Sequence, residues 1–165
     1  MSIKIDLLNS SLNKKGFKCG KEMLDNYLHT QASQDVRRKL CVVFAMFEGT
    51  IIKGYYTLSS TSIPRELIPS ELEKKFPKSY QTIPATLLGR LARDKTVIGT
   101  GQGEKLLIDA LYRSHLAAKE VGSFAVVVDP IDEKAESFYL DYGFKKLPDS
   151  GKLFLAMKTI DQLFG

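Results

Sequence analysis

The chain has 165 residues, 44% of them hydrophobic and 26% charged, the proportions of an ordinary globular protein and not of a disordered or fibrous one. That length predicts one domain over residues 1–165, burying roughly 70% of the surface an unfolded chain exposes. The net charge of +5 favours anionic partners without choosing between a nucleotide, a nucleic acid and simple solubility.

The opening MSIKIDLLNS lacks a basic leader followed by an apolar stretch, and no window reaches the roughly 18 apolar residues of a membrane span. A cytoplasmic protein without membrane contact is therefore expected. Ile3–Leu7 alternate weakly as a first strand, and Lys14, Lys15 and Lys18 follow in a basic loop. Leu24, Tyr27, Leu28 and Ala32 fall at helical spacing, which predicts one amphipathic helix from Lys21 to about Asp35. Cys41–Phe47 and Ile51–Ser59 are apolar runs joined by Glu48-Gly49-Thr50 and read as a hairpin. Pro64, Pro69, Pro77 and Pro84 surround the charged stretch Glu71–Lys75, so residues 60–84 are expected to form a long irregular connection with one helical turn. Connections of that length often serve as functional flaps.

Ala85–Ala92 reads as a buried strand, after which Gly99-Thr100-Gly101-Gln102-Gly103 opens a helix running to about Val121. Leu107, Ala110, Leu111, Ser114 and Ala118 share one face of that helix, which stops near Gly122. Phe124–Asp129 is a β-branched strand, and Glu133–Tyr142 a helix with Ala135, Phe138, Tyr139 and Tyr142 on one stripe, ended by Gly143. Leu153–Lys158 reads as the last strand. No repeat or linker interrupts this order, and strands interleaved with helices predict a mixed α/β domain. Cys19 and Cys41 are too far apart for a CxxC motif, and His29 and His115 form no zinc-ligand spacing, so neither a structural disulfide nor a metal is expected.

The glycine-rich turn carries the clearest chemistry. Glycine permits positive φ and lets the backbone approach a ligand without Cβ interference. A helix N-terminus leaves several amides unpaired and carries partial positive charge, so a diphosphate can be held there without a dedicated cation. A tight strand-to-helix connection also uses glycine, so the turn alone leaves both readings open. The dinucleotide-binding GxGxxG pattern and the GK[ST] of a P-loop are both missing.

Arg90-Leu91-Ala92-Arg93-Asp94, then Gly99-x-Gly101-x-Gly103 and a leucine-rich helix, resembles the acetyl-CoA motif of the GNAT N-acetyltransferases. Ala135-Glu136-Ser137-Phe138-Tyr139 with Tyr142-Gly143-Phe144 is similar to that family's FY…GF signature. Phe17-Lys18-Cys19-Gly20 before Leu24-Asp25-Asn26-Tyr27-Leu28, and the strand Gly54-Tyr55-Tyr56-Thr57-Leu58, resemble the subgroup containing toxins of bacterial type II toxin–antitoxin modules. The resemblance covers nearly the whole chain. It implies a GNAT fold, a mixed and mostly antiparallel sheet flanked by helices, with acetyl-CoA as cosubstrate.

By the same resemblance, the backbone of Leu91, Ala92 and Arg93 pairs with the pantetheine amides like an added strand. Gly99, Thr100, Gly101, Gln102, Gly103 and Glu104 supply amides to the diphosphate. Ile98 stands where the family usually has Gln or Arg, keeping the amide but losing a polar side chain, so weaker cofactor affinity is expected. Lys105, on the first helical turn, reads slightly better as a solvated cation than as a phosphate contact.

Acetyl transfer to an amine requires a neutral amine, a stabilised oxyanion and usually a proton for the departing thiolate. The resemblance makes Tyr139 the proton donor, a phenol of pKa near 10 that stays protonated at neutral pH. Spacing alone places Tyr139 in its helix's apolar stripe. No general base stands out: His29 and His115 read as surface or core-edge residues, and Asp129 and Asp132 either lie near the mouth or cap the helix that follows. Cys19 and Cys41 lack a charged partner and are expected to be inert. A lysine amine with pKa near 10.4 is mostly protonated at neutral pH, whereas an α-amine near 7.7–8.0 is substantially free, so the missing base favours an α-amine acceptor.

The toxin resemblance implies the α-amino group of aminoacyl-tRNA as acceptor, with an antitoxin and a second copy of the chain as partners. Arg37-Arg38-Lys39, the lysines of the first loop, and Arg90 with Arg93 are candidate phosphate contacts. A solvated mixed-charge face is the competing reading, since Asp35 and Glu48 lie close by in sequence. Two other functions stay open: a housekeeping acetyltransferase of a small amine or protein N-terminus, and a catalytically silent interaction module.

Overall fold

Apolar runs build the first strands: Val43, Phe44, Ala45 and Met46 are all buried in succession. The computed structural model describes residues 2–165. In it, β1 (Ile3–Leu7) lies antiparallel to β2 (Val42–Glu48), and β2 antiparallel to β3 (Ile51–Pro64). Glu48 pairs with Ile51, leaving Gly49-Thr50 as a two-residue turn with φ +62° at the glycine, the positive value such hairpins need. The remaining strands are β4 (Thr82–Arg93), β5 (Ala125–Val128), β6 (Lys145–Lys146) and β7 (Leu153–Ala156). All seven form one mostly antiparallel sheet in the order β1-β2-β3-β4-β5-β7-β6. The helices are α1 (Glu22–Thr30), α2 (Ala32–Arg37), α3 (Ser70–Glu73), α4 (Gln102–Ala118), α5 (Glu133–Asp141) and α6 (Met157–Phe164), which gives the α/β class that the resemblance implies.

The chain packs as two compact units, the first holding residues up to Ser59 together with Leu88–Ala110, the second Ser60–Leu87 with Leu111–Gly165. In the first, Phe17, Tyr27, Leu28, Ala45 and Tyr55 form the core beneath α1 and α2, and Ala92 of β4 joins them. A Cβ on Gly54 of β3 would lie 2.8 Å from Leu106 Cδ1 and 3.0 Å from the Ala92 carbonyl, so the close approach of α4 to the strands requires glycine there. In the second unit, Ile63, Ile83, Ala125, Val127 and Phe154 form a separate core.

Three expectations need correction, and one short strand was not expected. The helix expected from Lys21 to Asp35 is two, broken at Gln31, whose φ −125° departs from helical values. The Thr30 hydroxyl bonds back to the Asn26 carbonyl at 2.7 Å, and the chain re-enters a helix at the wholly buried Ala32. The irregular connection shrinks to residues 65–81, because β3 continues to Pro64 and β4 begins at Thr82. Arg65 organises what remains: Nε meets Glu73 Oε1 at 2.7 Å, and its other nitrogens donate to the carbonyls of Glu73, Phe76, Pro77 and Tyr80. The last strand ends at Ala156, and residues from Met157 form α6, with Met157 and Ile160 buried one turn apart. Lys145–Lys146 adds the short β6, two exposed lysines without alternation.

Candidate functional site

Side chains alternate across the end of β4. Leu88 and Ala92 are buried, and Arg90, on the same face, lays its guanidinium 3.6 Å from the centre of the Tyr27 ring. Arg93 points to the opposite face, where its Cδ is 3.4 Å from the place a Cβ on Gly103 would occupy. Arg90 and Arg93 therefore do not share one phosphate-binding surface.

Beyond Arg93 the chain turns on Asp94, which is buried. Its carboxylate accepts the Lys18 amide at 2.8 Å, the Thr96 amide at 3.0 Å and the Thr96 hydroxyl at 2.6 Å. Burial works to raise its pKa, but these donors outweigh burial and hold the group below the usual carboxylate range. The Lys95 amide in turn donates to the Lys18 carbonyl at 2.8 Å. Asp94 thus ties the Phe17–Gly20 segment to the start of the turn, a role that sequence reading did not assign to it.

Gly99 and Gly101 both have φ +81°, and an added Cβ would meet nothing within 4 Å at either. Backbone conformation, not space, demands glycine at Gly101. The Ile98 amide donates to the Lys95 carbonyl and the Thr100 amide to that of Val97, so these two expected donors are already engaged. No hydrogen bond found among the described residues uses the amides of Gly99, Gly101, Gln102, Gly103 or Glu104. They sit at or beside the first turn of the 17-residue α4, where the helix dipole adds positive potential. The Ile98 side chain is about half exposed at 51%, Lys105 is exposed, and Gln102 Oε1 is buried without a partner among the described residues. Unpaired amides on a left-handed glycine turn fit a bound diphosphate.

Tyr139, in the second unit, is only 7% exposed, its ring 5.4 Å from Phe138 and 5.3 Å from Phe144. No hydrogen bond among the described residues uses its hydroxyl, and burial pushes its pKa well above the ordinary tyrosine value. Asp132 caps α5, accepting the Ala135 amide at 2.8 Å. His115 is buried with Nδ1 2.6 Å from Asp161 Oδ1, and His29 Nε2 lies 3.0 Å from the Phe17 carbonyl. Both cysteines are free: burial, with Asp25 beside it, pushes the Cys19 thiol up to about 11, and Cys41 Sγ is 3.4 Å from the Tyr27 hydroxyl. Among the described residues no three His, Cys, Asp or Glu side chains group as metal ligands, and no helix is long and apolar enough to cross a membrane.

No family model matches the chain. Full-length relatives do. A probable toxin TacT of Sinorhizobium fredii is 31% identical over 163 residues, spanning 93% of this chain and 90% of that one. A tRNA-acetylating toxin of Mycobacterium tuberculosis is 31% identical over 150 residues, spanning 90% and 89%. The chain belongs to the GNAT acetyltransferase-toxin family. Solved structures of that family share the whole fold. A tyrosine-to-phenylalanine mutant of KacT superposes with TM-score 0.93 at 34% identity, over 99% of this chain and 100% of the other. AtaT complexed with acetyl-methionyl-tRNAfMet gives 0.92 at 31%, over 99% and 100%. A tyrosine-to-phenylalanine mutant of AtaT, bound to the C-terminus of the antitoxin AtaR and to acetyl-CoA, gives 0.82 at 28%, over 98% of each chain.

Proposed function

We propose that this family member transfers the acetyl group of acetyl-CoA to the α-amino group of aminoacyl-tRNA, in the cytoplasm, as the toxin of a toxin–antitoxin pair. The observation that carries this reading is the 31% identity, over 90% of the chain, to the tRNA-acetylating toxin. AtaT bound to acetyl-methionyl-tRNAfMet supports the acceptor, and AtaT bound to AtaR supports an antitoxin partner. Residues 1–165 act as one domain in this reading, since β3 and β4 run unbroken through both compact units.

The five unpaired amides from Gly99 to Glu104 hold the diphosphate, and the backbone of Leu91, Ala92 and Arg93 pairs with the pantetheine arm. Acetyl-CoA supplies the acetyl group as a thioester. Tyr139, kept protonated by burial, gives its proton to the departing thiolate. Changing a tyrosine to phenylalanine in KacT and AtaT is in keeping with that role. His29, His115 and Asp132 are engaged by partners within the fold and Asp129 is exposed; an acceptor α-amine of pKa near 7.7–8.0 is substantially free at neutral pH without a base.

Acetyl-CoA at one hundred times its dissociation constant is expected to stabilise the protein by about 2.7 kcal/mol, read as a thermal shift, and free adenine nucleotides by much less. No shift at millimolar acetyl-CoA would remove the cofactor assignment.

A further inference from the structure

Asp94 places a buried carboxylate at the foot of a turn suited to anions, where its negative charge by itself disfavours a diphosphate. A buried charge is tolerated only when it is fully paired. Here the pairing is dense: Oδ1 accepts the Lys18 amide at 2.8 Å, and Oδ2 accepts the Thr96 amide at 3.0 Å and the Thr96 hydroxyl at 2.6 Å. Lys53 Nζ donates to the same Thr96 hydroxyl oxygen at 3.4 Å and brings a countercharge. The Asp94 amide donates to the Lys53 carbonyl of β3 at 2.8 Å, so backbone and side chain are both held.

Two segments meet on this carboxylate. On one side, Thr96 lies in a single turn of 3₁₀ helix, Lys95–Val97. The Val97 carbonyl then accepts the Thr100 amide at 3.2 Å and the Thr100 hydroxyl at 2.6 Å, which brackets Gly99 and leads into the unpaired amides up to Glu104. On the other side, the Lys18 carbonyl accepts the Lys95 amide at 2.8 Å, and Lys95 Cε stands 3.3 Å from the place a Cβ on Gly20 would occupy. The bonds beyond Lys18 run into α1: the Cys19 amide donates to Asp25 Oδ1 at 2.8 Å, and His29 Nε2 lies 3.0 Å from the Phe17 carbonyl. A displacement of residues 94–96 therefore pulls on Lys18 and, through it, on α1.

We propose that Asp94 is a positioning residue for acetyl-CoA: through Thr96 it fixes the amides that hold the diphosphate, and through Lys18 it passes cofactor binding on to α1. This rests on the reading of the turn given under Proposed function. Charge and position predict opposite signs for the loss of this carboxylate. Removing a negative charge beside an anion site tightens binding, whereas losing the preorganised turn weakens it. Asn keeps the shape and one acceptor oxygen, but its NH₂ then faces either the Lys18 amide or the two donors of Thr96, so the junction cannot close on both sides.

The test measures acetyl-CoA affinity by titration calorimetry on wild type, Asp94→Asn, Thr96→Val and Thr96→Ser, and follows amide hydrogen exchange with and without acetyl-CoA. Asp94→Asn should raise Kd roughly tenfold to a hundredfold, as loss of charge-assisted hydrogen bonds implies. Thr96→Val replaces only the hydroxyl by a methyl and should raise Kd about threefold to tenfold, while Thr96→Ser keeps the hydroxyl and should bind like the wild type. In the wild type, acetyl-CoA should slow exchange across residues 18–27 as well as at the turn; in Asp94→Asn the protection should be confined to the turn. Unchanged or tighter binding by a folded Asp94→Asn protein overturns the positioning role, and wild-type exchange that acetyl-CoA leaves unaltered in α1 overturns the coupling. If Asp94→Asn does not fold, Thr96→Val with wild-type affinity overturns the positioning role equally. Wild type that fails to bind acetyl-CoA would remove the reading of the turn itself, and this proposal with it.

Discussion

Tyr139→Phe is expected to slow acetyl transfer by roughly 10²- to 10⁴-fold, the usual contribution of a general acid, while acetyl-CoA binding persists. The substitution keeps the ring and its contacts with Phe138 and Phe144, and deletes a hydroxyl on which no hydrogen bond among the described residues depends. Folding should therefore be undisturbed and the loss confined to the chemical step, read by single-turnover kinetics. In cells, expression of Tyr139→Phe should permit growth where the wild type arrests it. Full activity in the Phe variant would leave acetyl transfer standing and take the proton-donor role away from Tyr139.

Gly101→Val should abolish acetyl-CoA binding with little change in circular dichroism. The glycine sits at φ +81° with open space around it, so a side chain clashes with nothing but forces an L-residue into the left-handed region. That costs about 1–2 kcal/mol, and more for a β-branched residue. The exposed turn relieves the strain by shifting, which misaligns the amides from Gly99 to Glu104. Gly103→Val acts by another route: its backbone is helical and its Cβ would stand at ordinary contact distance, 3.4 Å, from Arg93 Cδ, so it is the γ-methyl groups beyond that crowd the Arg93 side chain. A folded Gly101→Val protein that titrates acetyl-CoA like the wild type would make the turn a structural connection only.

How much of this was legible in the sequence differs from residue to residue. Periodicity placed α4 well, because Leu107, Ala110, Leu111 and Ser114 are buried along one face. It missed α6 because Met157 follows β7 directly and Ala156 offers no side-chain cap, so no start signal separates the two elements. It missed the end of β3 because Ser59-Ser60-Thr61-Ser62 has the composition of a loop, and strand pairing overrides that preference. At the site, glycine reports positive φ and so exposes the turn to a sequence reader. Which amides of the turn remain unpaired is invisible there, since that depends on Ile98 and Thr100 folding back onto Lys95 and Val97. The stack of Arg90 on Tyr27 is equally invisible, because only the placement of α1 against β4 brings the two together.

The most direct test of the central claim is made on the product. Purified wild-type chain is incubated with acetyl-CoA and a mixture of charged tRNAs, the aminoacyl ester is hydrolysed, and the released amino acids are identified by mass spectrometry. The account predicts N-acetyl-amino acids from the tRNA fraction, formed only when acetyl-CoA is present. Unmodified amino acids from tRNA, with acetyl-CoA consumed on a small amine or a protein N-terminus instead, would contradict it.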